Sequence, residues 1–99
     1  MEKYSAKTID DFWRLVIHGE LREKLSLVGG DIVSLRVIDT IIILQRADEN
    51  LPQDIPTCKI CALGRVELPI DLRSKLNLKI GDKISAYNTD NIIILKKTA

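Results

Sequence analysis

A mainly β fold with two short helices, written twice in one chain and closed around one shared interior, is the fold class this sequence predicts. Three observations predict it. The stretch LREKLSLVGGD, Leu21 to Asp31, returns as LRSKLNLKIGD, Leu72 to Asp82, with seven of eleven residues identical at an offset of 51. Extended without a gap over Arg14 to Ala47 and Arg65 to Thr98, the match holds 14 identities in 34 positions. Average composition gives roughly 2 or 3 by chance, so the chain is a tandem duplication. Third, alternating apolar residues and glycine turns fill most of each copy, as strands and their connections do. A copy of about 45 residues buries too little surface to stand alone. The 99 residues are therefore expected to form a single domain, 1–99, with repeat one at 4–47, a linker at 48–56 and repeat two at 57–98.

Each repeat opens with a short hairpin. In the first, SAKTID turns near Asp10-Asp11 and continues as WRLVIH; in the second, TCKICA turns at Leu63-Gly64 and continues as RVELP. Pro69, which has no N–H for a ladder bond, ends that strand. Short helices follow over Glu20–Leu25 and Asp71–Leu76, where Leu21 and Leu25, like Leu72 and Leu76, are four apart and share a face. Gly30-Asp31 and Gly81-Asp82 then reverse the chain. DIVSLRVID alternates, with Val33, Leu35 and Val37 on one face and Ser34 and Arg36 on the other; Ile84, Ala86 and Asn88 against Ser85 and Tyr87 are the counterparts. Tight turns at Asp39-Thr40 and Asp90-Asn91 lead into the two IIIL segments, Ile41–Leu44 and Ile92–Leu95. Both are apolar on each face, so their outer face needs a covering helix, strand or second molecule. ADENLPQDIP, between the copies, reads as an exposed and fairly stiff linker.

Composition places the chain in the ordinary globular class, with 45% hydrophobic and 29% charged residues. The longest apolar runs span four residues, too short for a membrane span, and MEKYSAKTIDD lacks the apolar core of a signal peptide, so a cytoplasmic location is expected. Two cysteines in that compartment are expected as thiols. The net charge of +1 conceals an imbalance, −2 over residues 1–50 and +3 over residues 51–99, which makes the second copy the better anion-facing half.

The second copy, GRVELPIDLRSKLNLKIGDKISAY followed by NIIILKK, resembles the AbrB/MazE/SpoVT-type family over essentially a whole family domain: a Gly-Arg turn, a strand ending in Pro, a Leu-Arg helix, a leucine-turn-Gly-Asp segment and a final hairpin. That resemblance implies a swapped-hairpin β-barrel. Family members usually carry one unit per chain and bind DNA as homodimers; two units on one polypeptide imply a pseudo-two-fold monomer, the linkage replacing a bimolecular step. Further dimerisation through the outer IIIL faces stays open. The resemblance also implies a small transcriptional regulator that binds double-stranded DNA and uses no cofactor. The alternative is an antitoxin-like or scaffold module that binds a protein instead, through Phe12-Trp13 or the outer IIIL face.

The arginines matching the family's DNA-contacting positions are Arg65 and Arg73, and by internal repeat Arg14 and Arg22. A guanidinium suits the role because its planar fork bridges two phosphate oxygens or a guanine edge. Lys75, with Lys59, Lys79 and Lys83, is expected to add sequence-independent phosphate attraction. The competing reading gives the arginines internal carboxylate partners, Glu20 and Glu23 for Arg22 and Asp71 for Arg73. Copy one departs from the pattern: Trp13, His18 and Gly19 stand where Gly64, Pro69 and Ile70 do. These departures weaken the expectation of equivalent contacts there.

Cys58-Lys-Ile-Cys61 has the spacing of zinc and redox motifs, but there is no second pair, and Lys7 and Asp10 occupy the matching positions of copy one. Small apolar fillers with no metal are the expected role, a metal shared between two chains being the rival reading. His18 is expected as a strand-end residue. Phe12 and Trp13 are expected to pack over the barrel mouth, with a partner contact as the rival reading. No acid pair, nucleophile–base couple or phosphate loop appears at a catalytic spacing, so no enzymatic activity is expected.

Overall fold

The computed structural model describes residues 2–47, 52 and 54–98. Repeat one contributes β1 (Glu2–Thr8), β2 (Arg14–Val16), α1 (Gly19–Lys24), β3 (Ile32–Ile38) and β4 (Ile41–Arg46). Repeat two contributes β5 (Thr57–Lys59), β6 (Arg65–Glu67), α2 (Ile70–Lys75), β7 (Lys83–Thr89) and β8 (Ile92–Lys97). The fold is mainly β with two short helices. Most of the 48–56 linker lies outside the described residues. No helix among those described is long and apolar enough to cross a membrane.

Six strands form one antiparallel sheet in the order β1-β7-β8-β4-β3-β5, and β2 and β6 form a separate two-stranded ribbon. Only the hairpins β3–β4 and β7–β8 pair strands of the same repeat. Every other ladder crosses between repeats: β1 with β7, β5 with β3, β4 with β8 and β2 with β6. The first strand of each repeat thus completes the hairpin of the other.

The expected closed barrel is not what the ladders form. The six-stranded sheet is open, ending at β1 and β5. The strands that follow those edges, β2 and β6, are three residues long and spend their ladder bonds on each other, ending just before His18 and Pro69. Interior strands such as β7 bond to a neighbour along both edges, whereas β2 and β6 pair along one edge only, with each other, and neither continues the ladder at β1 or β5.

Sheet and ribbon share one hydrophobic cluster. Leu15 and Val66 of the ribbon join Leu21 and Leu72 of the helices, Val33, Leu35 and Leu44 of one hairpin, and Ile84, Ile93 and Leu95 of the other. Full burial of each large aliphatic side chain contributes about 1.5–3 kcal/mol. Because the cluster draws on both copies, removing either exposes the other's half.

The helices begin and end one residue earlier than the sequence suggests. Leu25 and Leu76 still bond back to Leu21 and Leu72, but Ser26 (φ 54°) and Asn77 (φ 52°) then turn left-handed. Leu27 N–H bonds to Arg22 C=O at 2.8 Å and Leu78 N–H to Arg73 C=O at 2.9 Å, closing a Schellman turn with Ser or Asn where glycine is usual. The following Gly-Asp turns are held by the aspartates, whose carboxylates accept the Val28 N–H (2.9 Å) and the Lys79 N–H (2.8 Å). Ser34 and Ser85, on the face opposite the core residues of their strands, are nonetheless buried. Ser34 sits between Gln45 and Thr57 in the sheet and donates to the Gln45 carbonyl; Ser85 lies beside Lys96, next to the register shift in β1 between Tyr4 and Lys7.

Candidate nucleic-acid interface

The ribbon gathers the expected site arginines at one end of the molecule. Its register sets Arg14 opposite Glu67 and Val16 opposite Arg65, while Leu15 and Val66 point into the core. The expected opening hairpins do not form, because the first strand of each repeat ladders with the other repeat and the second joins the ribbon; the turn between them instead receives a backbone bond from the partner repeat, Ile17 N–H to Gly64 C=O at 2.9 Å and Leu68 N–H to Trp13 C=O at 2.8 Å. The helix that follows each ribbon strand therefore starts beside the opposite turn.

The helix arginines use that placement. Arg22 donates its Nε–H to the Ile17 carbonyl at 3.0 Å and lays its guanidinium across Gly64, where a Cβ would lie 2.5 Å from Cζ. Arg73 donates its Nε–H to the Leu68 carbonyl at 2.7 Å and stacks over the Trp13 ring, 4.4 Å from the centroid. Each helix arginine thus meets the turn that carries the other repeat's strand arginine, Arg22 at the Arg65 turn and Arg73 at the Arg14 turn. Intramolecular partners exist, as the competing reading has it, but they are carbonyls, a glycine and an indole. Neither arginine forms an ion pair with Glu20, Glu23 or Asp71 among the described residues.

The two turns have one geometry and different chemistry. Asp10 organises the first: its carboxylate accepts the N–H groups of Phe12 (2.9 Å) and Arg14 (2.8 Å) and the Arg14 Nε–H (2.9 Å). Burial works against the charged form, but these donors hold the Asp10 carboxyl below its ordinary value. Cys61 occupies the same place in the second turn. The Arg65 side chain, then the N–H groups of Arg65 and Leu63, draw its thiol down to about 7. Asp10 and Cys61 do not stand out in the sequence as functional groups. The signal was the 51-residue offset, which lays one on the other.

Burial pushes Cys58, three residues earlier, up to about 11, as suits a partly buried thiol packed against the core. No group of three or more His, Cys, Asp or Glu side chains among the described residues could hold a metal ion. His18 precedes α1, with Nε2 2.7 Å from the Ser5 carbonyl and the ring tilted against Tyr4. A carbonyl only accepts, so Nε2 carries the proton of that bond, and burial lowers the ring's pKa.

The aromatic pair divides its roles. Trp13 takes φ 62° and packs against the core, whereas Phe12 is 68% exposed with the Arg14 guanidinium 4.9 Å from its centroid. Lys75 is not gathered with the arginines. It lies in the last turn of α2 and lines a cleft against the β3–β4 turn with Asp39, Thr40 and Asn77. Arg65 and Arg73 form no ion pair among the described residues, whereas Arg14 pairs with Asp10.

No family model matches the chain, and no curated protein does. Among solved structures, the chain is similar to the solution structure of PHS018 from Pyrococcus horikoshii, with 20% identity and a TM-score of 0.53 over 100% of this chain and 94% of that one. The likeness is one of fold.

Proposed function

We propose that this chain is a small duplex-DNA-binding regulator of the AbrB/MazE/SpoVT type, with the two repeats acting as the two halves of a swapped-hairpin dimer. One observation carries the reading: Arg14, Arg22, Arg65 and Arg73 gather on the ribbon, its turns and its helices, the positions that the family resemblance singles out. The cross-repeat ladders support the swapped arrangement. Arg65 and Arg73 are the stronger contacts because neither must first give up a carboxylate among the described residues, and Arg14 the weaker because Asp10 holds it. An asymmetric site follows, since one half-site meets Leu63-Gly64 and the other meets Phe12-Trp13.

Anisotropy titration of labelled duplex DNA tests this. Neutralising four phosphates gives a slope of log K against log salt of about −3 to −4. The Arg65→Ala, Arg73→Ala double variant is expected to lose at least about tenfold in affinity and flatten that slope by about 2. Absence of binding at low salt, or an unchanged double variant, overturns the proposal.

A further inference from the structure

The outer face of the six-stranded sheet carries a second surface, remote in role from the arginine ribbon. Alternation places Ile42, Leu44, Ile93 and Leu95 in the core and turns Ile41, Ile43, Ile92 and Ile94 outward. The cross-strand pair Ile43–Ile94 lies at the centre, with Arg36 and Tyr87 as its neighbours and Lys3 beyond Tyr87. Ile41 lies between Ile38 and Lys96 in the next row, and Ile38 is 45% exposed. None of these isoleucines belongs to the core cluster or packs against it.

Charge on this face has one sign. Its strand positions hold five cations, Lys3, Arg36, Lys59, Lys83 and Lys96, and no carboxylate. The four ion pairs among the described residues use Arg14, Lys24, Arg46 and Lys97. None of the five outer cations takes part. An apolar rib bordered by cations that form no ion pair among the described residues selects its occupant. A second copy laid face to face would bury like charges against each other, at a cost. A phosphate backbone would satisfy the cations but leave the isoleucines against a charged, hydrated chain.

We propose that this face docks a partner polypeptide whose aliphatic side chains are flanked by Asp and Glu, in strand or helix form. The aliphatic groups cover the Ile41–Ile43–Ile92–Ile94 rib, and the carboxylates meet Arg36, Lys96 and Lys3. DNA at the ribbon and a protein on the sheet can then be held at once, the arrangement of an adaptor.

The probe is a fluorescein-labelled amphipathic peptide of leucine and glutamate, about 18 residues long so that one face presents anchors at i, i+3, i+4 and i+7. A control peptide carries lysine for glutamate. Anisotropy with the intact chain is expected to show saturable binding of the acidic peptide only, weakening several-fold between about 0.05 and 0.3 M salt. Arg36→Glu with Lys96→Glu, at exposed positions that leave the core untouched, is expected to weaken it at least about tenfold. Ile43→Ser with Ile94→Ser is expected to abolish it, circular dichroism confirming the fold, while neither pair alters DNA binding. Several results would each overturn the proposal: no binding of the acidic peptide, equal binding of both peptides, indifference to charge reversal, or displacement by excess duplex DNA. So would sedimentation as a dimer that the Ile43→Ser, Ile94→Ser variant dissociates, which assigns the face to a second copy.

Discussion

The turns Asp10–Arg14 and Cys61–Arg65 occupy equivalent places in a duplicated chain, yet only the backbone and the closing arginine have been kept. In both, the residue before the strand arginine takes a left-handed conformation, Trp13 at φ 62° and Gly64 at φ 74°. Both bond across to the other repeat, and a helix arginine of that repeat lies over each. Glycine meets this demand without strain and leaves room for Arg22 to lie flat. Tryptophan meets it against its preference and repays the strain with ring area over the core and under Arg73. Asp10 and Cys61 make the same contrast in electrostatics, a carboxylate held by three donors and a thiol drawn down by the Arg65 side chain and the Arg65 and Leu63 N–H groups. A duplicated scaffold therefore fixes where hydrogen bonds must be made and leaves open which chemistry makes them.

The comparison can be broken most severely in the core. Leu35 and Ala86 are equivalent, both buried, and differ by three carbons. Leu35→Ala is expected to cost about 2–5 kcal/mol and Ala86→Leu about 1–3 kcal/mol by overpacking. Urea unfolding should remain a single transition for both, since the repeats share one interior. Two transitions, one per repeat, would show that the halves fold separately.

Next in size is the contrast between the thiols. With Cys61 near 7 and Cys58 near 11, iodoacetamide at neutral pH should modify Cys61 on the order of 10²-fold faster, after allowing for the weaker nucleophilicity of a low-pKa thiolate. Mass spectrometry of partly labelled chain reads the ratio. Cys61→Asp should keep the fold, because it copies the Asp10 turn.

Gly64→Ala comes third. The left-handed backbone costs an alanine about 1 kcal/mol relative to glycine, and its methyl displaces the Arg22 guanidinium. A loss of about 1–2 kcal/mol in all is expected from thermal unfolding, whereas Gly30→Ala, with nothing within 4 Å of its Cβ, should cost only the backbone part.

The smallest effects are in acid. Burial, offset by the Ser5 carbonyl, holds His18 below 6.5, so the unfolded chain takes the proton more readily and stability falls as pH drops from about 6.5 through the lower folded value. His18→Gln should remove that step from urea midpoints measured at pH 7 and about 5.5. Asp82, lowered by the Lys79 N–H and by Lys97, and Asp10 add stability above 3.8. That part is lost only as pH falls below 3.8 through their folded values.

Much of the fold is legible in the residues. Leu21 and Leu72 in short helices, Val33 and Leu35 alternating with Arg36, and Gly30-Asp31 as a turn follow from periodicity and backbone preference, which act over a few neighbours. The left-handed Ser26 and Asn77 are less visible, because neither residue demands that conformation; the burial of Leu27 and Leu78 beside them does. For the candidate site, the four arginines were legible from the repeat and the family resemblance. Their settings were not. That Arg73 lies on Trp13, that Arg22 lies on Gly64, and that Lys75 turns away to a cleft are contacts between segments far apart in the chain.

By itself, then, the sequence determined that there are two copies, that each has the same order of strands, helix and turns, and that each is too small to close its own interior. The tight turns at Asp39 and Asp90 set the β3–β4 and β7–β8 hairpins; tertiary structure alone decided which strands pair between the repeats. Hydrogen-bond ladders are indifferent to chain origin, so β1 could serve either hairpin by its pattern. The register that buries both sets of leucines and isoleucines in one cluster is the one in which it serves the other repeat's.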